Sequence, residues 1–81
     1  MTEQAEEIVD SLDLRGVECP FNYVQTKLRL ETMEPGQLLE ITIDDGEPIR
    51  NVPRSLKNDG HEIVDTKKIG KHYRLLIRKG A

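Results

Sequence analysis

Cys19 is the only cysteine among 81 residues, and it stands in Gly16-Val17-Glu18-Cys19-Pro20, a glycine loop running into a proline. Proline is favoured at the first position of a helix, where its missing N–H would have lacked a partner anyway. A thiolate at that point is a nucleophile. The unpaired N–H groups of a helix start and the positive end of its dipole both favour ionised sulfur. Pro20 has no N–H to offer, so the amides after it are the ones available to stabilise charge on sulfur. A single cysteine cannot close an internal disulfide, and a reducing compartment keeps its thiol free. Whatever it reacts with therefore belongs to another molecule. A dithiol oxidoreductase is excluded, because no second thiol exists to resolve the first. The plainer alternative is a buried, inert side chain, the common fate of a lone cysteine.

Other chemistry-bearing residues are weaker candidates. His61 and His72 are isolated and read as ordinary polar residues; with Cys19 they lack the close spacing of a zinc site. Asp44-Asp45-Gly46 lacks the remaining ligands of a calcium loop and reads as a turn. There is no phosphate-cradling glycine loop and no Ser/His/Asp pattern. Neither a metal nor a cofactor is expected.

Elements that would position Cys19 follow from hydrophobic spacing. Ser11 to Arg15 alternates polar and apolar, as a short half-buried strand does, and Gly16 breaks it. A helix is predicted from about Pro20 to Met33, stopped by Pro35-Gly36. Tyr23, Leu30 and Met33, with the small Thr26 between them, give it a core-facing stripe. Phe21, Val24 and Leu28 form a second apolar row. Either a wide stripe buries both rows, or the second row is an exposed patch beside Cys19 that docks a partner. Leu39, Ile41 and Ile43 alternate with Glu40, Thr42 and Asp44, which predicts a strand with one wet face and helices on the other. Ile49, Val52 and Leu56 mark a second helix, from about Pro48 to Asn58-Asp59-Gly60, with Pro53 set to kink it or delay its regular part. Ile63-Val64 is a short third strand. Tyr73, Leu75 and Ile77 belong to a fourth, with a hairpin turn at Ile69-Gly70-Lys71. The fold class is α/β (α+β): a two-layer βαβαββ sandwich, with a four-stranded mixed sheet and two helices on one face.

Length and charge bound the rest. A chain of 81 residues is one domain, and it buries only about 60 to 65% of the surface that its unfolded form exposes, so chemistry belongs at the surface. Residues 1–10 read as a flexible acidic tail and 11–81 as the domain, although Ala5, Glu6 and Glu7 would tolerate a helical turn. No apolar run is long enough to span a bilayer and the first residues are too acidic for a secretory signal, so a cytoplasmic protein is expected. Twelve Lys and Arg against 15 Asp and Glu give a net charge of -3, which argues against a general nucleic-acid binder. The charges are segregated: residues 1–18 hold six acids and Arg15, whereas residues 66–81 hold Lys67, Lys68, Lys71, Arg74, Arg78 and Lys79 and no acid. This describes either two solvated faces or a basic strand edge that steers an acidic partner.

Leu12-Asp13-Leu14-Arg15-Gly16-Val17-Glu18-Cys19-Pro20, Met33-Glu34-Pro35-Gly36, Asp44-Asp45, Ile49-Arg50-Asn51-Val52-Pro53, Gly60-His61-Glu62-Ile63-Val64 and Tyr73-Arg74-Leu75-Leu76-Ile77-Arg78 resemble, in order and spacing, the TusA (SirA-like) sulfur-carrier family. The resemblance implies a sulfurtransferase whose cysteine, here Cys19, accepts sulfane sulfur as a persulfide. The donor would be a cysteine desulfurase or rhodanese-like enzyme, and the acceptor another protein in tRNA thiolation, molybdenum-cofactor synthesis or sulfur metabolism. Pro20 matches the family's first motif proline, and Asp45 and Arg50 lie at family-like positions, from which the resemblance implies they would shape the surface near the sulfur. The family's second proline is replaced by Asn22, which follows Phe21, restores an N–H and adds an amide able to contact a persulfide. That change alters the surface that partners read. The expected carrier is a monomer when free, with no stable nucleic-acid or membrane contact. A reading of another class is a non-catalytic regulatory or protein-interaction module using the basic C-terminal hairpin. With only Phe21, Tyr23 and Tyr73 as aromatics, that hairpin offers little stacking surface for RNA.

Overall fold

In a computed structural model, which describes residues 8–18 and 20–80, the chain runs β1 (Ile8–Asp13), α1 (Phe21–Glu31), β2 (Leu38–Asp44), α2 (Glu47–Asn58), β3 (Glu62–Ile69) and β4 (His72–Arg78). The strand order is β1-β2-β4-β3. β1 pairs parallel to β2, while β2–β4 and β3–β4 are antiparallel. A parallel pair needs a crossover longer than a hairpin, and α1 supplies it. β3 and β4 need only the two residues Gly70 and Lys71, since Ile69 faces His72 across the ladder. Gly70 takes φ +61°, the left-handed backbone a two-residue hairpin demands.

The alternation in β2 decides which face is covered. Leu39, Ile41 and Ile43 lie opposite Ile77, Leu75 and Tyr73 of β4. Together with Leu14, Leu30, Met33, Val52 and Leu56 they form the core, with Tyr73 at its partly buried rim. Both helices contribute to this one cluster, so both lie on the same face of the sheet. Each fully buried leucine or isoleucine there is worth about 1.5–3 kcal/mol of hydrophobic transfer. Tyr23 of α1 donates its hydroxyl to Asp59, the C-cap of α2, joining the helices at the rim. That bond, with partial burial, pushes the Tyr23 phenol above its usual range. On the opposite face, Glu40 pairs with Arg74 at 3.1 Å and Glu62 with Arg78 at 2.8 Å.

Three boundaries differ from the sequence reading. β1 begins at Ile8, so residues 8–10, assigned to the acidic tail, belong to the sheet: Ile8 lies opposite Leu38 and Asp10 opposite Leu39. The acid at 10 marks an ion pair rather than a loose end, because its carboxylate binds Arg29 of α1. Residues 1–7 of the expected tail lie outside the described residues. β3 is longer than Ile63-Val64, running to Ile69. A register shift between Ile63 and Asp65 interrupts its alternation, and the residues beyond it are exposed on both sides. α2 begins at Glu47 and continues unbroken through Pro53, so that proline does not delay the helix.

Candidate functional site

The β1–α1 loop is tied down from Leu14 to Val17. Leu14 is buried in the core and donates its N–H to the Thr42 carbonyl at 2.8 Å, extending the β1–β2 ladder. Val17 N–H closes a turn on the Leu14 carbonyl at 3.1 Å. At its tip Gly16 adopts φ +79°, a backbone that side chains disfavour, and donates its N–H to the Asp44 carboxylate at 2.7 Å. Arg15 grips Asp13 with two guanidinium contacts of 2.8 and 2.7 Å. Those side-chain bonds, helped by the Arg15 N–H, hold the Asp13 carboxyl down to about 2.

Cys19 itself lies outside the described residues; its two chain neighbours do not. Glu18 is exposed, and its carbonyl accepts the Asn22 N–H at 3.2 Å. Pro20 is the N-cap of α1, one residue outside the helical position predicted for it, and its carbonyl accepts the Val24 N–H at 2.9 Å. The Tyr23 N–H is taken by the side-chain oxygen of Asn22 at 2.7 Å. The Phe21 N–H therefore stands alone in the first turn of α1 without a partner among the described residues. Of the amides after Pro20 expected to face sulfur, those of Asn22, Tyr23 and Val24 are occupied.

Asn22 is not on the surface. Its side chain is fully buried, and its amide donates to the Val17 carbonyl at 3.3 Å, so the residue expected to alter what partners read faces inward instead. The reason is helical spacing: Asn22, Thr26 and Leu30 recur every four residues and form the inward line of α1. Thr26 in turn donates its hydroxyl to the Asn22 carbonyl at 2.9 Å. The same spacing already visible in Thr26 and Leu30, run back one turn, would have placed Asn22 inside.

Phe21, Val24 and Leu28 are 61, 40 and 57% exposed. Of the two readings of this row, the structure therefore gives the exposed patch, beginning one residue after Pro20. Asp45 lies across a groove from the loop. Gly16, Val17 and Glu18 on one side and Asp44, Asp45, Glu47 and Pro48 on the other line an open groove of about 430 Å³. The hairpin reaches the same end of the sheet, since the Lys71 carbonyl accepts the Asp45 N–H at 3.3 Å. Arg50 is exposed one turn into α2, does not line the groove and pairs with no described residue.

The histidines have separate surroundings. His61 accepts the Gly80 N–H at its Nδ1, 3.0 Å away, and burial together with Lys79 pushes its pKa down. His72 Nδ1 is buried without a hydrogen bond among the described residues and faces the Asp44 carboxylate at 3.7 Å. Asp44, read from sequence as part of a turn, thus stands between an imidazole and the loop before residue 19. No local pattern reports that contact, because Gly16 and Asp44 are 28 residues apart. Among the described residues no helix is long and apolar enough to cross a membrane.

Comparison with known proteins agrees in sequence and in fold. The family model described as "Sulfurtransferase TusA" matches residues 10–79. A relative from Archaeoglobus fulgidus is 42% identical, over 98% of this chain and 96% of its own, and bears the name "Putative sulfur carrier protein". A Thermotoga maritima protein of the same name is 36% identical over 79% of this chain and 81% of its own. YedF of Escherichia coli K12, likewise so named, is 32% identical over 84% of this chain and 88% of its own. The solution structure of HP1264 from Helicobacter pylori superposes with a TM-score of 0.73, covering 90% of this chain and all of that one, at 21% identity. At that identity it is a likeness of fold.

Proposed function

Since the chain belongs to the TusA sulfurtransferase family, we propose that it is a sulfur carrier that accepts sulfane sulfur on Cys19 as a persulfide and passes it to a thiol of a partner protein. In the first half-reaction the Cys19 thiolate attacks the terminal sulfur of a donor persulfide. A new sulfur–sulfur bond forms, the donor's own sulfur–sulfur bond breaks, and the donor cysteine leaves as a thiolate. In the second, an acceptor thiolate attacks the terminal sulfur on Cys19, which leaves in the same way. No net oxidation occurs in either step and no cofactor is required.

The observation that carries this reading is the Phe21 N–H, which has no partner among the described residues. It opens an eleven-residue helix, two residues after the cysteine, in a turn whose following amides are all engaged. That amide and the helix dipole act on negative charge at that end, favouring a thiolate as attacking group and lowering the barrier to its departure. The exposed row of Phe21, Val24 and Leu28 supplies an apolar surface beside the cysteine for donor and acceptor proteins to dock on. The acidic groove beyond Glu18 would sort those partners by charge.

Incubation with polysulfide, or with a cysteine desulfurase and free cysteine, should add the mass of one sulfur atom, removable by a thiol reductant. Cys19→Ser should add none. A wild-type protein that stays unmodified with several donors while its cysteine alkylates fully would overturn the proposal.

A further inference from the structure

We propose that Asn22 and Asp44 are positioning residues for Cys19, gripping the loop before it from two sides. The proposal deepens the carrier reading and rests on it. Two backbone groups of the loop are held by side chains from different elements. The Asp44 carboxylate, at the end of β2, takes the Gly16 N–H at 2.7 Å, and the Asn22 amide, in the first turn of α1, reaches the Val17 carbonyl at 3.3 Å. Asn22 does more than anchor. Its own N–H closes on the Glu18 carbonyl at 3.2 Å, linking α1 to the residue just before Cys19, and its side-chain oxygen occupies the Tyr23 N–H. The other oxygen of Asp44 lies 3.7 Å from His72 Nδ1, which has no hydrogen bond of its own among the described residues.

The chemistry explains why an asparagine serves here. Proline at position 22 would have neither an N–H for the Glu18 carbonyl nor an amide for that of Val17, and both links to the loop would be lost. A buried asparagine puts its amide nitrogen within reach of the Val17 carbonyl while its oxygen takes the Tyr23 N–H, at the cost of burying a polar group that these partners must satisfy. A loop fixed at both ends before a partner arrives has less ordering left to do in the exchange step.

The test reads the thiol directly. Alkylation of Cys19 by iodoacetamide is followed in the full chain from about pH 5 to pH 10, a range that brackets an ordinary cysteine. Wild type is compared with Asn22→Ala, Asp44→Ala and Asp44→Asn. In the alanine variants the rate at neutral pH should fall about fivefold or more and the midpoint of the profile should rise, because the thiolate loses its fixed surroundings. Asp44→Asn should stay within about twofold of wild type, since an amide oxygen still accepts the Gly16 N–H. Asp44 is half-exposed, so its two variants decide the matter even if Asn22→Ala fails to fold. Folded alanine variants with the wild-type rate and midpoint overturn the proposal. So does an Asp44→Asn that falls as far as Asp44→Ala. Sulfur loading is read on the same samples: a wild type that never loads while the variants still separate by alkylation defeats the carrier reading and leaves the positioning roles standing.

Discussion

α1 and α2 pack on the same face of the same sheet, yet they distribute polarity in opposite ways. α2 follows the common rule: Val52 and Leu56 are buried, Ile49 and Pro53 are half-buried, and Glu47, Arg50, Asn51, Arg54 and Lys57 face outward. α1 reverses much of it. Asn22 and Thr26 are buried beside Leu30, while Phe21, Val24 and Leu28 face outward. A reversal of that kind is unfavourable for folding alone, because buried polar groups must find partners and exposed apolar ones gain nothing. Its occurrence in the helix that follows Cys19, and not in the other, is what the proposed carrier role would lead one to expect of a scaffold element and a working one.

The comparison can be broken most forcefully at α2. Leu56→Ala removes a fully buried side chain and should lower stability by about 2–5 kcal/mol, read by denaturant unfolding. Sulfur loading of the folded fraction should be unaffected. Unequal loading would mean that α2 takes part in the chemistry and that the division between the helices is false.

A double substitution on α1 is expected to do the reverse. Phe21→Ser with Leu28→Ser should leave the unfolding midpoint nearly unchanged, within about 0.5 kcal/mol, as exposed positions generally do. Sulfur exchange with a partner protein should slow, and loading from small polysulfide should not. A large loss of stability would show that the apolar row is part of the fold rather than a docking surface.

The smallest effect concerns the loop that precedes α1. Arg15 lowers the Asp13 carboxyl to about 2 from its ordinary 3.8. A carboxylate depressed on folding contributes stability above its unfolded pKa and loses it as pH falls through the folded one. The difference between wild type and Arg15→Gln should therefore be present above 3.8 and vanish near 2. Carboxyl titration by NMR should place Asp13 near the lower value in wild type and return it toward the upper one in Arg15→Gln. Both groups are about half-exposed, so the pair contributes little and should weaken with salt. An Asp13 midpoint unmoved by Arg15→Gln would show that the loop backbone, and not the guanidinium, holds it down.

The parts of the fold legible in sequence were those written in local periodicity. Leu39, Ile41 and Ile43 at period two, and Ile49, Val52 and Leu56 at helical spacing, identify their own elements and buried faces without reference to anything distant. β3 was legible only up to Val64. A register shift there breaks the alternation, and the strand beyond it is held by β4 with neither face buried, so no hydrophobic signal marks it. At the site, Glu18, Pro20 and Phe21 flank Cys19 by sequence alone. The placing of Asp44 against Gly16 depended on how turns far apart in the chain are brought together.

By itself the sequence determined the order βαβαββ, the one covered face of the sheet and the helix that starts just after Cys19, because each depends on residues within one or two turns of one another. Only the tertiary structure decided that the Asn22 amide meets the Val17 carbonyl, that Phe21, Val24 and Leu28 stay in water, and that Asp44 holds Gly16. An apolar row is buried only if another element lies over it, and a side chain meets a distant backbone amide only where the sheet sets their strands side by side. Those are properties of neighbours in space, which spacing along the chain does not encode.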